Sequence, residues 1–547
     1  MAGKRNVVIV GSGMGGLTAA ITAAELGLDV VVLEKGGRVG GSCAYSGGQV
    51  WLGGNHVAAR DGIADSLEST LTYVKGIAAR DPASLDPVQC ERWLRGAVDA
   101  ARWLEERGVI RWEIIPGYSD YYWPDAPGSA EQGRYLTGAP FDGASLGADF
   151  DRLLIGPYFP IGITYGEMFG FGGMSSKTKW DWPLIERRRQ DRVLTFGTGI
   201  AAALFKGALD RGVRVLTEHN VVELLAAGGS VTGVRCETPS GERRFDGPVI
   251  LATGAHDWSA EYFERYTTIP AELGGSLTPP TVAGDAMGLA APLGAAVSTI
   301  PPWAAPVLPG YRLGEAAWPG DHGYRACWEH ALPHCFIVNR AGERFCEDDF
   351  HSPIIGAALH RDAAGALVNL PAFLVWDESH HAKYGLGRVM PGGDYPNGLV
   401  ESAASLAELG HKLGIDGAAL GRTASRFNTH ARAGADPDFG RGSKPATQRF
   451  RGDGNNHPNP NLGPVETPPF FGMRLSLVNT GIASAGVRTD PDGRALDGAG
   501  RPIGGLSVVG EAAARTAAGV GYNSGYSLSR AMAFGHIAAR RLAGANR

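Results

Sequence analysis

The stretch "RNVVIVGSGMGGLTAAITAAELGLDVVVLEKG", residues 5–36, decides the fold. It begins with a β-branched run over 6–10, short and apolar enough for a buried strand. Gly11-x-Gly13-x-x-Gly16 follows at once, an Ala- and Leu-rich helix extends to Leu26, and a second strand over 29–33 ends in Glu34. Alone, G-x-G-x-x-G carries little weight. Set between a strand and a helix, with an acid 23 positions after the first glycine, it specifies a Rossmann-like dinucleotide site. Gly11 makes the tight turn, Gly13 lets backbone approach a pyrophosphate, and Gly16 brings helix and strand together. The helix N-terminus favours the phosphate charge, and Glu34 accepts from a ribose hydroxyl.

The 547 residues allow two to four domains, and 44% hydrophobic with 20% charged residues is a globular composition. A net charge of -5 leaves no nucleic-acid footprint and no polybasic membrane anchor. Glycine is the unusual residue: 81 of them suggest backbone packed closely around something. The apolar run at the N-terminus is too short for a signal peptide, and the uncharged stretch 286–311 is broken by prolines such as Pro292, Pro301 and Pro309. Six scattered cysteines without a C-x-x-C pair read as free thiols, so a cytoplasmic protein with no membrane segment is expected. Cys327, His330, His334 and Cys335 have ligand-like types, but Pro333 interrupts any helix that would align them, and no metal site is expected.

After Glu34 an NAD domain would start another βα unit. Here "GGRVGGSCAYSGGQVW", residues 36–51, supplies a further glycine-rich loop, as an extended cofactor lying across the sheet requires. Gly40, Gly41, Ser42, Ser46, Gly47 and Gly48 resemble the loop of the fumarate reductase/3-ketosteroid dehydrogenase superfamily. The resemblance implies FAD, and because covalent members carry a histidine in this loop and this chain has none, non-covalent FAD. It places Val221 or Val222 along the adenine, Ala252-Thr253-Gly254 after a strand, and Glu511 of "LSVVGEAA" near the ribityl chain. Lys35 and Asp285 complete the expected cofactor set. The implied architecture is α/β: a Rossmann-like FAD-binding domain of glutathione-reductase type, split over 1–285 and 475–547. An α+β substrate or cap domain, 286–474, is inserted into it. "FIVNRAGERFCEDD" (336–349) and "NPNLGPVETPPFF" (459–471) resemble 3-ketosteroid dehydrogenases more than succinate dehydrogenases.

The family resemblance implies a reaction in which hydride leaves the carbon β to a ketone while a base removes the α-proton. Charge then develops on the ketone oxygen, which needs fixed donors. In "GYNSGYSLSRAMAFG" the resemblance puts the oxyanion-hole glycine at Gly525 and the partner tyrosine at Gly521, so Tyr522 is the expected donor and Tyr526 the spare. The first-turn N–H groups around Ser527 and Leu528 would favour negative charge on the reduced flavin. Tyr121 and Tyr122 match the aromatic cluster that carries a second catalytic tyrosine. The position of the family's proposed base falls on Ser352, with His351 and Tyr165 as substitutes. The positions where fumarate reductases place charged dicarboxylate ligands hold Ser352, Tyr522 and Ile482, so a neutral, largely apolar cyclic ketone is expected. Electrons would pass to an external acceptor such as a quinone, a dye or O2. The alternative is the same flavin run in reverse, as an ene-reductase of an activated alkene.

Overall fold

The computed structural model describes residues 5–157, 162–305, 307–313 and 323–545. Its central sheet grows from the quoted stretch. Strand Asn6–Val10 pairs in parallel with Asp29–Leu33 on one side, which in turn pairs with Arg214–Leu216. On its other side it pairs with Val249–Leu251, which pairs with Pro502–Val508. The registers run Val8↔Val31, Val8↔Val249 and Ile250↔Ser507. A five-stranded parallel core results, and its last strand arrives from the far end of the chain. The antiparallel strands Asn220–Ala227, Ser230–Thr238 and Gly241–Asp246 extend it beyond that strand.

Both faces of the sheet are covered, and the strand period of two shows how. Val7 and Ile9 enter one apolar core, whereas Val8 and Val10 enter another. On the first face lie helices Met14–Glu25, Phe196–Leu209 and Tyr526–Ala543. The first and last of these cross where a Cβ on Gly535 would come within 2.4 Å of the Gly15 carbonyl, so only glycine permits the approach.

Two smaller sheets cover the edge where ligand would lie. One runs in the order Gly274–Ser276, Ser476–Asn479, Val307–Arg312, Tyr324–Ala326. The other orders Cys335–Val338, Phe373–Asp377, Phe470–Arg474 and Glu401–Ala403, with helices Leu406–Leu413 and Gly417–Ala433 packed on it. Beneath them Arg344 and Arg441 hold buried Asp348 at 3.0 Å each, and Arg344 also holds Asp436 at 2.8 Å. The aromatic run 118–123 is irregular over 118–120 and turns from 121, and no part of it is a strand. Among the described residues all six cysteines are buried thiols, and no helix is long and apolar enough to cross a membrane.

Candidate active site

One cavity of about 410 Å³ joins the dinucleotide loop to the smaller sheets. At its floor the conformational demands on the glycines differ. Gly11 has φ +101°, and a Cβ there would meet the Ala252 carbonyl at 2.4 Å. Gly16 packs against Gly11 itself and does not reach the cavity. Gly13 has open space where a Cβ would be, on the cavity side. It caps helix Met14–Glu25 without any side-chain cap, and no acid lies in the first turn, so the N–H groups and the positive end of the helix dipole face the cavity and suit an anion. These residues fit a pyrophosphate.

The flanks of the floor are polar and ordered. Glu34 accepts from Ser12 N at 3.0 Å and Ser12 Oγ at 2.6 Å with one oxygen, and from Gly36 N at 2.8 Å with the other. Burial raises its pKa, and those hydrogen bonds oppose the rise. It therefore braces the loop, and any ribose bond uses its remaining lone pairs. Lys35 and Asp285 pair at 3.2 Å on the cavity wall. Gly41, Ser42, Ser46 and Gly47 line it, as do Ala252, Thr253 and Gly254. Gly48 stands behind, with φ +66° and the Phe196 backbone at 2.4 Å from its would-be Cβ. Of the adjacent valines, Val221 is buried and lines the cavity, and Val222 does not line it. Glu511 reaches the wall with both oxygens engaged, one by Arg530 at 2.8 Å and one by Ala483 N at 2.8 Å.

Helix Tyr526–Ala543 brings a second N-terminus to the same space. Its cap is Gly525, at φ +86°, again with no side-chain cap and no acid in the first turn. Ser527 and Leu528 line the cavity, and the Ser527 hydroxyl is buried without a hydrogen bond. Gly525 is wedged against the strand Val50–Trp51, where a Cβ would stand 2.7 Å from Trp51 N. Its carbonyl accepts from Trp51 at 3.3 Å, and its own N–H has no partner among the described residues.

Above this helix end the side chains converge. Tyr522 lines the cavity, and its hydroxyl makes no hydrogen bond among the described residues. Burial drives its pKa far above the ordinary range, Tyr121 adding to the rise while Arg515 and Arg451 oppose it. Tyr526 is no rival. It lies 1% exposed between Trp51 and Trp93, with ring centroids 4.8 and 4.9 Å away. His351 opens helix His351–Ala358 and faces Tyr522 at 5.4 Å and Tyr121 at 5.6 Å between ring centroids. Both of its ring nitrogens are buried and unpartnered. Burial depresses its pKa well below the ordinary value, helped by Arg451 and His330, so the imidazole is neutral at pH 7.

Two expected residues are placed otherwise. Tyr122 does not line the cavity; its ring stands edge-on to Phe350 at 5.9 Å. Tyr165 does line it, but its hydroxyl donates to the Gly47 carbonyl at 2.7 Å, and burial raises its pKa well above 10.0. Cys327, His330, His334 and Cys335 are spent on packing: His330 and His334 bond the carbonyls of Asp348 and Pro464.

The site also contains residues that pattern reading passes over. Tyr118, stacked on Phe450 with ring centroids 4.0 Å apart, lines the cavity, and burial raises its phenol pKa. Asn523 is a buried hub: its Oδ1 accepts from Tyr73 at 3.1 Å and Tyr121 N at 3.2 Å, and its Nδ2 donates to Asp120 at 3.1 Å. Asp120 in turn accepts from Trp51 at 2.7 Å and Arg134 at 2.8 Å. This network ties the Tyr522 loop to the Tyr121 segment across 402 residues of chain. The only sequence signal for it was the loop composition around Asn523.

A glycine cradle beside a parallel sheet, roofed by tyrosine and histidine side chains, fits a dinucleotide-dependent oxidoreductase. The model of the FAD binding domain family matches residues 6–528, and the chain belongs to that family of FAD-dependent oxidoreductases. It is 31% identical to the 3-oxosteroid 1-dehydrogenase of Mycobacterium tuberculosis over 98% of each chain. It is 33% identical to the 4-oxocyclohexanecarboxylate 2-dehydrogenase of Sinomonas cyclohexanicum, over 98% of this chain and 93% of that one. Among solved structures, a 3-ketosteroid delta1-dehydrogenase from Sterolibacterium denitrificans, in complex with 1,4-androstadiene-3,17-dione, superposes with a TM-score of 0.88. That match has 28% identity and covers 99% of this chain and all of the other.

Proposed function

We propose that this protein desaturates a cyclic ketone, forming a C=C bond α,β to the carbonyl, with non-covalently bound FAD as hydride acceptor. The observation that carries the reading is the convergence, in one cavity with the dinucleotide cradle, of three unengaged groups: the Tyr522 hydroxyl, the Gly525 N–H and the His351 ring. The relatives act, by name, on a 3-oxosteroid and a 4-oxocyclohexanecarboxylate, both cyclic ketones.

In this reading the Tyr522 hydroxyl and Gly525 N–H donate to the ketone oxygen, where negative charge develops as the α-proton leaves. A raised phenol pKa suits Tyr522 to donate without ionising. A ring nitrogen of neutral His351 takes the α-proton, with Tyr121 beside it to fix the substrate face. The apolar walls, among them Phe169, Phe450 and Met168, exclude water and strengthen those hydrogen bonds. The flavin, when bound, supplies the hydride acceptor, and the N-termini capped by Gly13 and Gly525 supply fixed positive ends for its charge. We assign the cofactor-binding part to 1–285 with 475–547 and the covering part to 286–474, and place re-oxidation with an external acceptor.

Anaerobic mixing tests the reading. Saturated cyclic ketones bleach the oxidised flavin, and the product gains the absorbance of an enone. If only enones react, re-oxidising pre-reduced enzyme, the protein is an ene-reductase instead. Acid precipitation leaves the flavin in the supernatant if it is non-covalent.

A further inference from the structure

The substrate end of the cavity has a charge that the mechanism above does not use. Its wall includes Lys177, Arg325, Arg388 and Arg451, against one acid, Glu329. Lys177 is satisfied, bonding Glu329 at 3.3 Å and the Gly387 carbonyl at 2.9 Å. Arg388 donates to the Pro157 carbonyl at 2.7 Å, and Arg325 to that of Tyr324 at 3.3 Å. Arg451 differs. Among the described residues it has no carboxylate within ion-pair distance, and its Nη1 is buried without a hydrogen bond. What holds it is the face of Trp328, 4.7 Å from the guanidinium carbon to the ring centroid. It lies near enough to Tyr522, Tyr118 and His351 to act on each electrostatically.

A stacked guanidinium keeps its fork of N–H donors in a fixed plane, the geometry that matches a carboxylate. A buried guanidinium nitrogen left without an acceptor is unfavourable, and an incoming anion relieves that. The surplus of cations around it adds a field that draws anions into the cleft.

We propose that Arg451 is a specificity-determining anchor for a carboxylate on the substrate, so that the preferred substrate is a small cyclic ketone acid rather than a neutral ketone. The inference rests on the ketone-desaturation reading. The Tyr522–Gly525 pair takes the ketone oxygen, and Arg451 takes the carboxylate elsewhere on the same ring. This reverses the expectation of a neutral substrate, which considered only the positions where fumarate reductases carry their charges. Arg451 belongs to none of these. Pairing with a carboxylate also removes part of the positive field that holds His351 neutral, making it a better proton acceptor when the carboxylate substrate is bound.

The test compares 4-oxocyclohexanecarboxylate with its methyl ester on the holoenzyme and on Arg451→Gln and Arg451→Lys. The wild type is expected to prefer the acid by about 10- to 100-fold in kcat/KM, the worth of charge-assisted hydrogen bonds. In Arg451→Gln the acid-to-ester ratio falls toward one, mainly through KM for the acid, and Arg451→Lys recovers part of it. Equal turnover of acid and ester by the wild type overturns the proposal without needing any variant. So does a parallel loss of kcat on both substrates in Arg451→Gln, which would assign Arg451 to the ketone oxygen instead. A second readout avoids turnover: cyclohexanecarboxylate is titrated into the oxidised holoenzyme and followed by the flavin spectrum, with cyclohexanecarboxamide as the neutral control. Binding of the acid that depends on Arg451, with no ketone bleaching the flavin, would retain the anion site and remove the desaturation reading.

Discussion

The two ends of the cavity are built from different materials. The cofactor end is made of backbone: helix N-termini at Gly13 and Gly525, and glycines whose missing side chains leave room or permit contact. Apart from the Gly525 N–H, the substrate end is made of side chains from segments far apart in sequence, with Tyr121, His351, Arg451 and Tyr522 each on its own loop or helix end. A backbone surface is insensitive to neighbouring substitutions but intolerant of a single added Cβ. A side-chain surface can be rebuilt residue by residue, which is how one fold takes different ring ketones.

The sharpest way to break this contrast is Gly13→Val. It fills the open space at the first helix N-terminus, and flavin affinity should fall at least about 100-fold, roughly 2.7 kcal/mol. Flavin fluorescence titration of the apoprotein measures it; near-normal affinity would mean the cradle is not where the pyrophosphate lies. Next, Tyr522→Phe should slow anaerobic flavin reduction by about 100-fold with flavin content intact. Loss of flavin in that variant would show that the two ends are not separable.

Asn523→Ala sits on the seam between them. It strips partners from Tyr73 and Asp120, so about 2 kcal/mol of stability should be lost, read by denaturant titration, together with some activity.

Acid acts on the side-chain end and its surroundings. Burial, foremost among the causes, lowers the pKa values of His256, His330 and His536 to about 4, and that of His351 falls well below ordinary. Their unfolded values lie near 6.5. The stability from these neutral rings is therefore fully present above about pH 6.5 and is lost as pH falls toward 4, because the unfolded chain binds protons first. The midpoint of thermal unfolding should drop between pH 7 and pH 5. The smallest effect is expected for Tyr526→Phe, within about 0.5 kcal/mol, since that buried hydroxyl has no partner to lose.

What could be read in advance follows the same division. Gly11, Gly13 and Gly16 act through local geometry, so spacing between a strand and a helix reveals them. Between Val221 and Val222 the sequence leaves the choice open, and the structure puts Val221 on the cavity wall. Tyr121 and Tyr122 are equivalent in the sequence pattern, and only the fold separates them: Tyr121 lines the cavity and Tyr122 packs edge-on to Phe350. Arg451 and Asn523 were invisible for a different reason. One matters by what it lacks, a carboxylate; the other by bonds to residues hundreds of positions away. Neither property has a local pattern.

The position of Pro502–Val508 inside the parallel sheet bears on how the chain is made. Val249–Leu251 awaits its neighbour through some 250 residues of synthesis, exposing an unpaired apolar edge as it does so. Closure of the nucleotide fold is thus deferred until residues 502–508 have been translated. Ribosome-arrested chains ending before residue 500 should remain protease-sensitive in the first sheet and dependent on chaperones, whereas chains that include helix Tyr526–Ala543 should become resistant, more so with flavin added.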